Sequence, residues 1–218
     1  MRERAVHLGR IAFGLLAAVA LSVQGYHAVS EGEPLTDYFS YFTNLSNIAG
    51  LLVLITGGVL GLRGRPGVPD GIRGAIVLYM VITGLVYAVL LSGYHLGLLL
   101  PWVNDIVHRL MPVVYLADWL IVPPLARLSR VTALKWLVFP LVYLAYTLLR
   151  GPLVHWYPYP FVDPNLHGGY GRVAGACTLL LGAFVLVAAA VRWAGNRRAA
   201  RRAPRHARTG PASAADPT

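Results

Sequence analysis

A hydroxyl and an imidazole held at one depth in an apolar layer can act as nucleophile and base, and this chain offers such a pair. In "YFSYFTNLSN", Tyr38 to Asn47, Thr43 opens an apolar run. In "WVNDIVHRLMPVVYLADW", which begins at Trp102, His108 lies under two helical turns inside another. A threonine hydroxyl is a poor nucleophile until a positioned base takes its proton, and the base needs a further group to hold its tautomer. Asn104 and Asp105 precede His108 by four and three residues, so either could touch the ring on a helix. The N–H groups of the helix turn at Thr43, or the amides of Asn44 and Asn47, would stabilise an oxyanion. Arg150 would hold a carboxylate headgroup. Tyr146 shares its helix face, and His27 lies at similar depth, so both join it as expected substrate contacts.

Other chemistries find little support. The single cysteine, Cys177, rules out an intramolecular disulfide and every multi-cysteine metal motif. No G-x-S-x-G, H-E-x-x-H, P-loop or G-x-G-x-x-G motif is present. His95 and His108 cannot form an axial haem pair on one helix, because Pro101 and a loop separate them. No metal and no cofactor is expected.

The elements that must position the pair follow from composition. Of 218 residues, 56% are hydrophobic and 13% charged, and the mean hydropathy is +0.58. Soluble domains carry about 25% charge, so this is an integral membrane protein. Six apolar stretches approach the ~20 residues of a spanning helix. They run over Gly9–Ala28, Phe39–Leu62, Arg73–Tyr94, Trp102–Pro124, Trp136–Pro152 and Tyr170–Trp193, with kinks expected at Pro112 and Pro140. The first has a basic start but no small-x-small cleavage site after it, so it is read as a retained helix.

The net charge of +10 is a topology signal here rather than a nucleic-acid footprint. Arginine and lysine cluster at the N-terminus, after the second and fourth stretches and after the sixth. The alternate loops, "SEGEPLTDY", "GYHLGLLLPW" and "HWYPYPFVDPNLHGGY", hold acids and aromatics. The positive-inside rule places both termini in the cytoplasm, in agreement with an even number of spans. The expectation is an all-α, six-helix membrane domain over residues 1–194, followed by a disordered basic cytoplasmic tail over 195–218.

The polar residues of these spans gather near the outer side. At 100° per residue, Ser40, Thr43, Asn44 and Asn47 fall within an arc of roughly 100°, and Ser46 falls off it. Thr43 and His108 lie roughly 6–9 Å below the outer surface. Ser, Thr and Asn at such positions also serve as helix-packing glue. Tyr94, Tyr157 and Tyr159 read as interfacial belt residues, and the Gly57/Gly61 and Gly171/Gly175 pairs read as packing sites. Ionisable groups inside a span are costlier and need partners. Asp118, toward the cytoplasmic end, reads as structural. "HWYPYPF" reads as a stiff amphipathic lid.

"YFSYFTNLSN", "YMVITGLVY", "WVNDIVHRLMPVVYLADWL" and "WLVFPLVYLAYTLLRG…WYPYPF" together resemble the bacterial Pr6Pr family of membrane proteins over nearly the whole chain except the tail. That resemblance implies a multi-pass protein of the bacterial plasma membrane. A more distant similarity links the chain to the eukaryotic androgen-induced family of six-helix proteins. Those are threonine hydrolases of fatty acid esters of hydroxy fatty acids, which use one intramembrane Thr and one His. The aromatic–Phe–Thr context matches Thr43, and W-x-N-x-x-x-H matches Trp102, Asn104 and His108. Asp105 and Arg109 stand outside that pattern.

Two functions follow as expectations, beside a third reading in which the chain is an assembly or stability partner whose polar stripes only pack helices. The first is an intramembrane hydrolase of lipid esters, with Thr43 as nucleophile and His108 as base, fed from the outer leaflet. The second is a non-enzymatic carrier or binder of a lipid or small acid, in which Arg150 matters more than Thr43. Membrane lipids and a lipid-like ligand are the expected partners, and nucleic acid is not.

Overall fold

The computed structural model describes residues 1–93 and 98–202, and among them it contains helices and no strands. Tyr94, His95 and residues 203–218 lie outside the described residues. The long helices are α1 (Arg2–Ser30), α3 (Phe42–Leu62), α4 (Asp70–Val86), α8 (Val138–Val154) and α9 (Gly169–Arg202). Short helices α2 (Leu35–Tyr38), α5 (Pro101–Asp105), α6 (Met111–Ile121) and α7 (Arg130–Lys135) complete the set. Two single π-helical turns, Tyr87–Leu91 after α4 and Ile106–Leu110 between α5 and α6, carry those helices onward.

Five helical segments are long and apolar enough to cross a membrane: Glu3–Ser30, Phe42–Leu62, Asp70–Leu91, Arg130–Val154 and Gly169–Arg201. The fourth expected span is helical from Pro101 to Ile121, but Asp105, Arg109 and Asp118 are spread along it and leave no long stretch as free of charge as those in the five.

Each of the two expected prolines sits at an interruption of regular α-helix. Pro140 has no N–H for the Trp136 carbonyl four residues back; the segment Arg130–Val154 is interrupted there, between α7 and α8, and the Tyr79 hydroxyl donates to Trp136 O at 2.9 Å instead. Pro112 follows the π turn. There the Met111 N–H reaches back to Ile106 O, five residues away. Proline has no N–H to offer the next carbonyl, Val107 O, which is left for a side chain to satisfy.

Helices α1 and α3 pack closely. His7 lies against Gly61, where a Cβ would come within 2.2 Å of its ring. Only glycine admits that approach, so Gly61 is a packing site as expected. Gly171 and Gly175 meet nothing within 4 Å and are not.

An ion network ties the opposite end of the bundle from Thr43. Asp118 accepts from Arg10 at 2.6 Å and from Arg73 at 3.0 Å, and Arg73 also pairs with Asp70 at 2.9 Å. Arg73 further donates to Val122 O at 2.7 Å. Charges removed from water in this way need such mutual pairing. Arg10, counted in the sequence with the basic N-terminus, and Arg73, counted with the loop after the second stretch, are therefore internal struts.

The boundary expected between 194 and 195 does not mark the end of the packed helix. Gly195 lies against the Trp119 ring, where a Cβ would approach within 2.6 Å. Asn196 exchanges two hydrogen bonds with the Leu128 backbone, at 2.8 and 3.0 Å. Helix α9 continues to Arg202, so residues 195–202 are helical rather than disordered.

Candidate functional site

The polar stripe at the start of the second apolar run is buried, but it is not one continuous helix. Helix α3 starts at Phe42, so Ser40 lies in the connector from α2. The Ser40 hydroxyl meets Thr36 O and the Tyr146 hydroxyl, each at 2.7 Å. Thr43 is the second residue of α3, and Asn44 and Asn47 follow on the same helix.

Thr43 Oγ1 lies 3.2 Å from His108 Nε2, and both residues are buried. Asn47 fixes the two elements that bring them together. Its Nδ2 donates to Thr43 O at 2.9 Å and to Val107 O at 3.4 Å, the carbonyl beside the π turn. Asn44 Nδ2 donates to Tyr38 O at 2.7 Å and pins the α2 connector. Both amide groups are thus engaged in holding backbone.

Neither side chain expected to orient His108 does so. Asp105 pairs with Arg109, and its side chain is 57% exposed. Asn104 turns to Tyr87, donating to its hydroxyl at 2.7 Å. The ring is held instead by stacking. Tyr87 lies parallel to His108 with centroids 4.6 Å apart and a 22° tilt. Each ring belongs to one of the two π turns, which rotate the residues from regular helical positions. His108 Nδ1 is buried with no side-chain partner.

The helix N–H groups at Thr43 are also occupied. Phe42 N–H donates to the Tyr143 hydroxyl at 3.2 Å, and Thr43 N–H to the Tyr159 hydroxyl at 3.3 Å. The expected backbone oxyanion site is therefore filled by two tyrosines. Tyr159, expected at the membrane interface, is 9% exposed and stacks on Phe161 with centroids 5.1 Å apart. Burial raises its phenol above the ordinary range. Tyr159 reaches Thr43 from the loop after α8. His155 (φ 52°) and Gly168 (φ 94°), both left-handed, flank that loop. Arg172 ties it down through Pro160 O and Asp163 O, at 2.9 and 2.8 Å.

Thr43 stands in a wall between two spaces. One is a chamber of about 440 Å³ lined by polar and aromatic groups, among them Gln24, Glu33, Tyr41, Asn44, His108 and Trp156. The other is a narrow apolar cleft of about 90 Å³ between α3, α4, α8 and α9, lined by residues such as Ile82, Val86, Leu141, Leu144, Leu181 and Phe184. Thr43, Leu91 and Tyr159 border both. In the chamber, burial and the neighbouring Asp37 raise the Glu33 carboxyl above its ordinary range.

The three expected substrate contacts do not line the chamber. Arg150 is ion-paired to Asp37 and lies over the Trp156 ring, 5.4 Å from its centroid. The Tyr146 hydroxyl is taken by Ser40. His27 borders neither space.

Comparison with protein-family models, curated proteins and solved structures finds no match.

Sequence reasoning missed Tyr87, Tyr159 and Asp37 in these positions. Tyr87 stood on a polar face with Thr83 and could have been found there. Tyr159 sits in a proline-rich aromatic loop whose composition resembles an interfacial belt, so nothing in the sequence marked it. No group of three or more potential metal ligands occurs among the described residues.

Proposed function

We propose that this chain is a six-span protein of the bacterial plasma membrane, related to the Pr6Pr family, with both termini cytoplasmic. In this reading it hydrolyses lipid esters, with Thr43 as nucleophile and His108 as base. The observation that carries the reading is the buried 3.2 Å contact between Thr43 Oγ1 and His108 Nε2, set where a polar chamber meets an apolar cleft. That arrangement suits an ester, whose acyl chain would occupy the cleft and whose alcohol part would occupy the chamber.

With its proton on Nδ1, His108 accepts the Thr43 proton at Nε2 as Oγ1 bonds to the acyl carbon. The imidazolium then gives that proton to the leaving alkoxide as the ester C–O bond breaks. Water attacks the acyl-threonine and loses a proton to Nε2, which returns it to Oγ1 as the acid departs. Tyr159 accepts the Thr43 N–H and keeps its own proton to offer the carbonyl oxygen.

A carrier of small acids would use the same chamber, but it has no use for the Thr43–His108 contact, and Asp37 already neutralises Arg150. Labelling the purified protein with a fluorophosphonate probe tests the hydrolase. Wild type should label, and Thr43→Ala and His108→Ala should not, with thermal stability retained. A folded wild type that stays unlabelled would remove the support for an activated threonine.

A further inference from the structure

The chamber beside Thr43 is aromatic and carries a carboxylate with no cationic partner among the described residues. Tyr38, Tyr41, Trp156 and Tyr159 line it together with Glu33. Tyr41 meets Trp156 edge-on at 5.5 Å and Tyr159 at 5.9 Å, so the three rings form one wall. Glu33 is half-buried, and its carboxylate makes no ion pair or hydrogen bond among the described residues. Asp37 is matched by Arg150, which leaves Glu33 as the uncompensated charge. No lysine or arginine occurs in the described lining.

This chemistry selects a cation. Aromatic faces present negative charge, and a carboxylate beside them strengthens the attraction for a weakly hydrated ammonium group. A carboxylate ligand would find no free counter-charge in the described lining, since Arg150 against Trp156 is already paired with Asp37, and would be repelled by Glu33. Arg150, expected as a carboxylate anchor, is held in that pair and is not part of the described lining.

We propose that the chamber binds an alkylammonium head, quaternary or protonated, whose chain enters the apolar cleft at Thr43. Joined to the hydrolase reading, on which this step rests, the substrate class is the fatty-acyl ester of an amino alcohol. The head-group assignment itself requires no turnover.

The test is calorimetric titration of the full chain in maltoside micelles with decyltrimethylammonium, decanoate and decanol. The cation should bind about tenfold or more tighter than decanoate. Glu33→Gln should weaken the cation about tenfold and leave decanol within about twofold. Equal binding of decanoate and the cation, or equal cation affinity in wild type and Glu33→Gln, overturns the proposal. The Glu33 side chain has no hydrogen-bond or ion-pair partner among the described residues, and the wild-type selectivity decides the question even if the variant folds poorly. Added phosphatidylcholine that displaces the cation identifies a membrane-lipid head. Phosphatidylcholine that does not displace it identifies a free single-chain amphiphile. None of the probes contains an ester, so an unreactive Thr43 would leave a positive result standing. A negative result would equally leave fluorophosphonate labelling of Thr43 untouched.

Discussion

Asn47 donates from one nitrogen to the carbonyls of Thr43 and Val107, and so sets the distance between the first turn of α3 and the π turn that holds His108. The second of these carbonyls is free because Pro112 has no N–H to give it. A proline on one helix and an asparagine on another thus act together to place a hydroxyl against an imidazole.

Asn47→Ala should therefore do two things. It leaves the Val107 carbonyl without its side-chain donor, at about 1–3 kcal/mol, while Thr43 O keeps the helical N–H of residue 47. It also releases the distance between Thr43 and His108. Thermal unfolding in micelles should show the loss, and fluorophosphonate labelling should fall below that of wild type at temperatures where the variant is folded. Unchanged stability would show that the bridge does not form.

Tyr87 holds His108 with its ring and Asn104 with its hydroxyl, and the two roles separate by substitution. Tyr87→Phe keeps the stack, loses the hydroxyl and costs about 1 kcal/mol. Tyr87→Leu removes the aromatic face. Labelling of Thr43 should survive in the first variant and drop about tenfold or more in the second, because a loosened base is seldom in line. Equal labelling in both would mean that stacking does not orient the imidazole.

Arg150 and Asp37 form a largely buried pair, with side-chain exposures of 17% and 13%. Removing either partner should destabilise the protein by about 3–5 kcal/mol, because the other charge remains buried alone. Removing both should cost less than the sum of the single changes. A double-mutant cycle on Arg150→Gln and Asp37→Asn measures this. A coupling near zero would return Arg150 to the role of a free ligand-binding cation.

The two aspartates of the fourth helical stretch should respond to very different extents. Asp118→Asn leaves Arg10 and Arg73 without their common partner and should cost about 3 kcal/mol or more. Asp105→Asn breaks an exposed pair and should cost about 0–1 kcal/mol. Paired denaturation curves under one set of conditions decide it, and a larger loss for Asp105→Asn would contradict the assignment.

Sequence alone determined the helical class, the apolar segments and the nomination of Thr43 and His108. Those readings depend on length, hydropathy and helical spacing, which are local quantities. Spacing also raised Asn104 and Asp105 as orienters of His108, but their side chains turn to Tyr87 and Arg109, and Asn104 meets the ring only through its backbone. A three- or four-residue offset says which side chains share a face, but not which way each turns when a π turn shifts the register.

What surrounds the pair was decided by tertiary structure. Tyr159 comes from the loop after α8 and reaches the Thr43 N–H across 116 residues of sequence. Asp37 finds Arg150 from a connector that reads only as acidic loop. Ion pairs and hydroxyl contacts between distant segments exist only once the bundle closes. The sign of charge left facing the chamber depends on which partners are used up in that closure. The residues able to do chemistry were therefore legible in order along the chain. Which of them remain free to meet a ligand was not, because that depends on contacts between segments that no local pattern encodes.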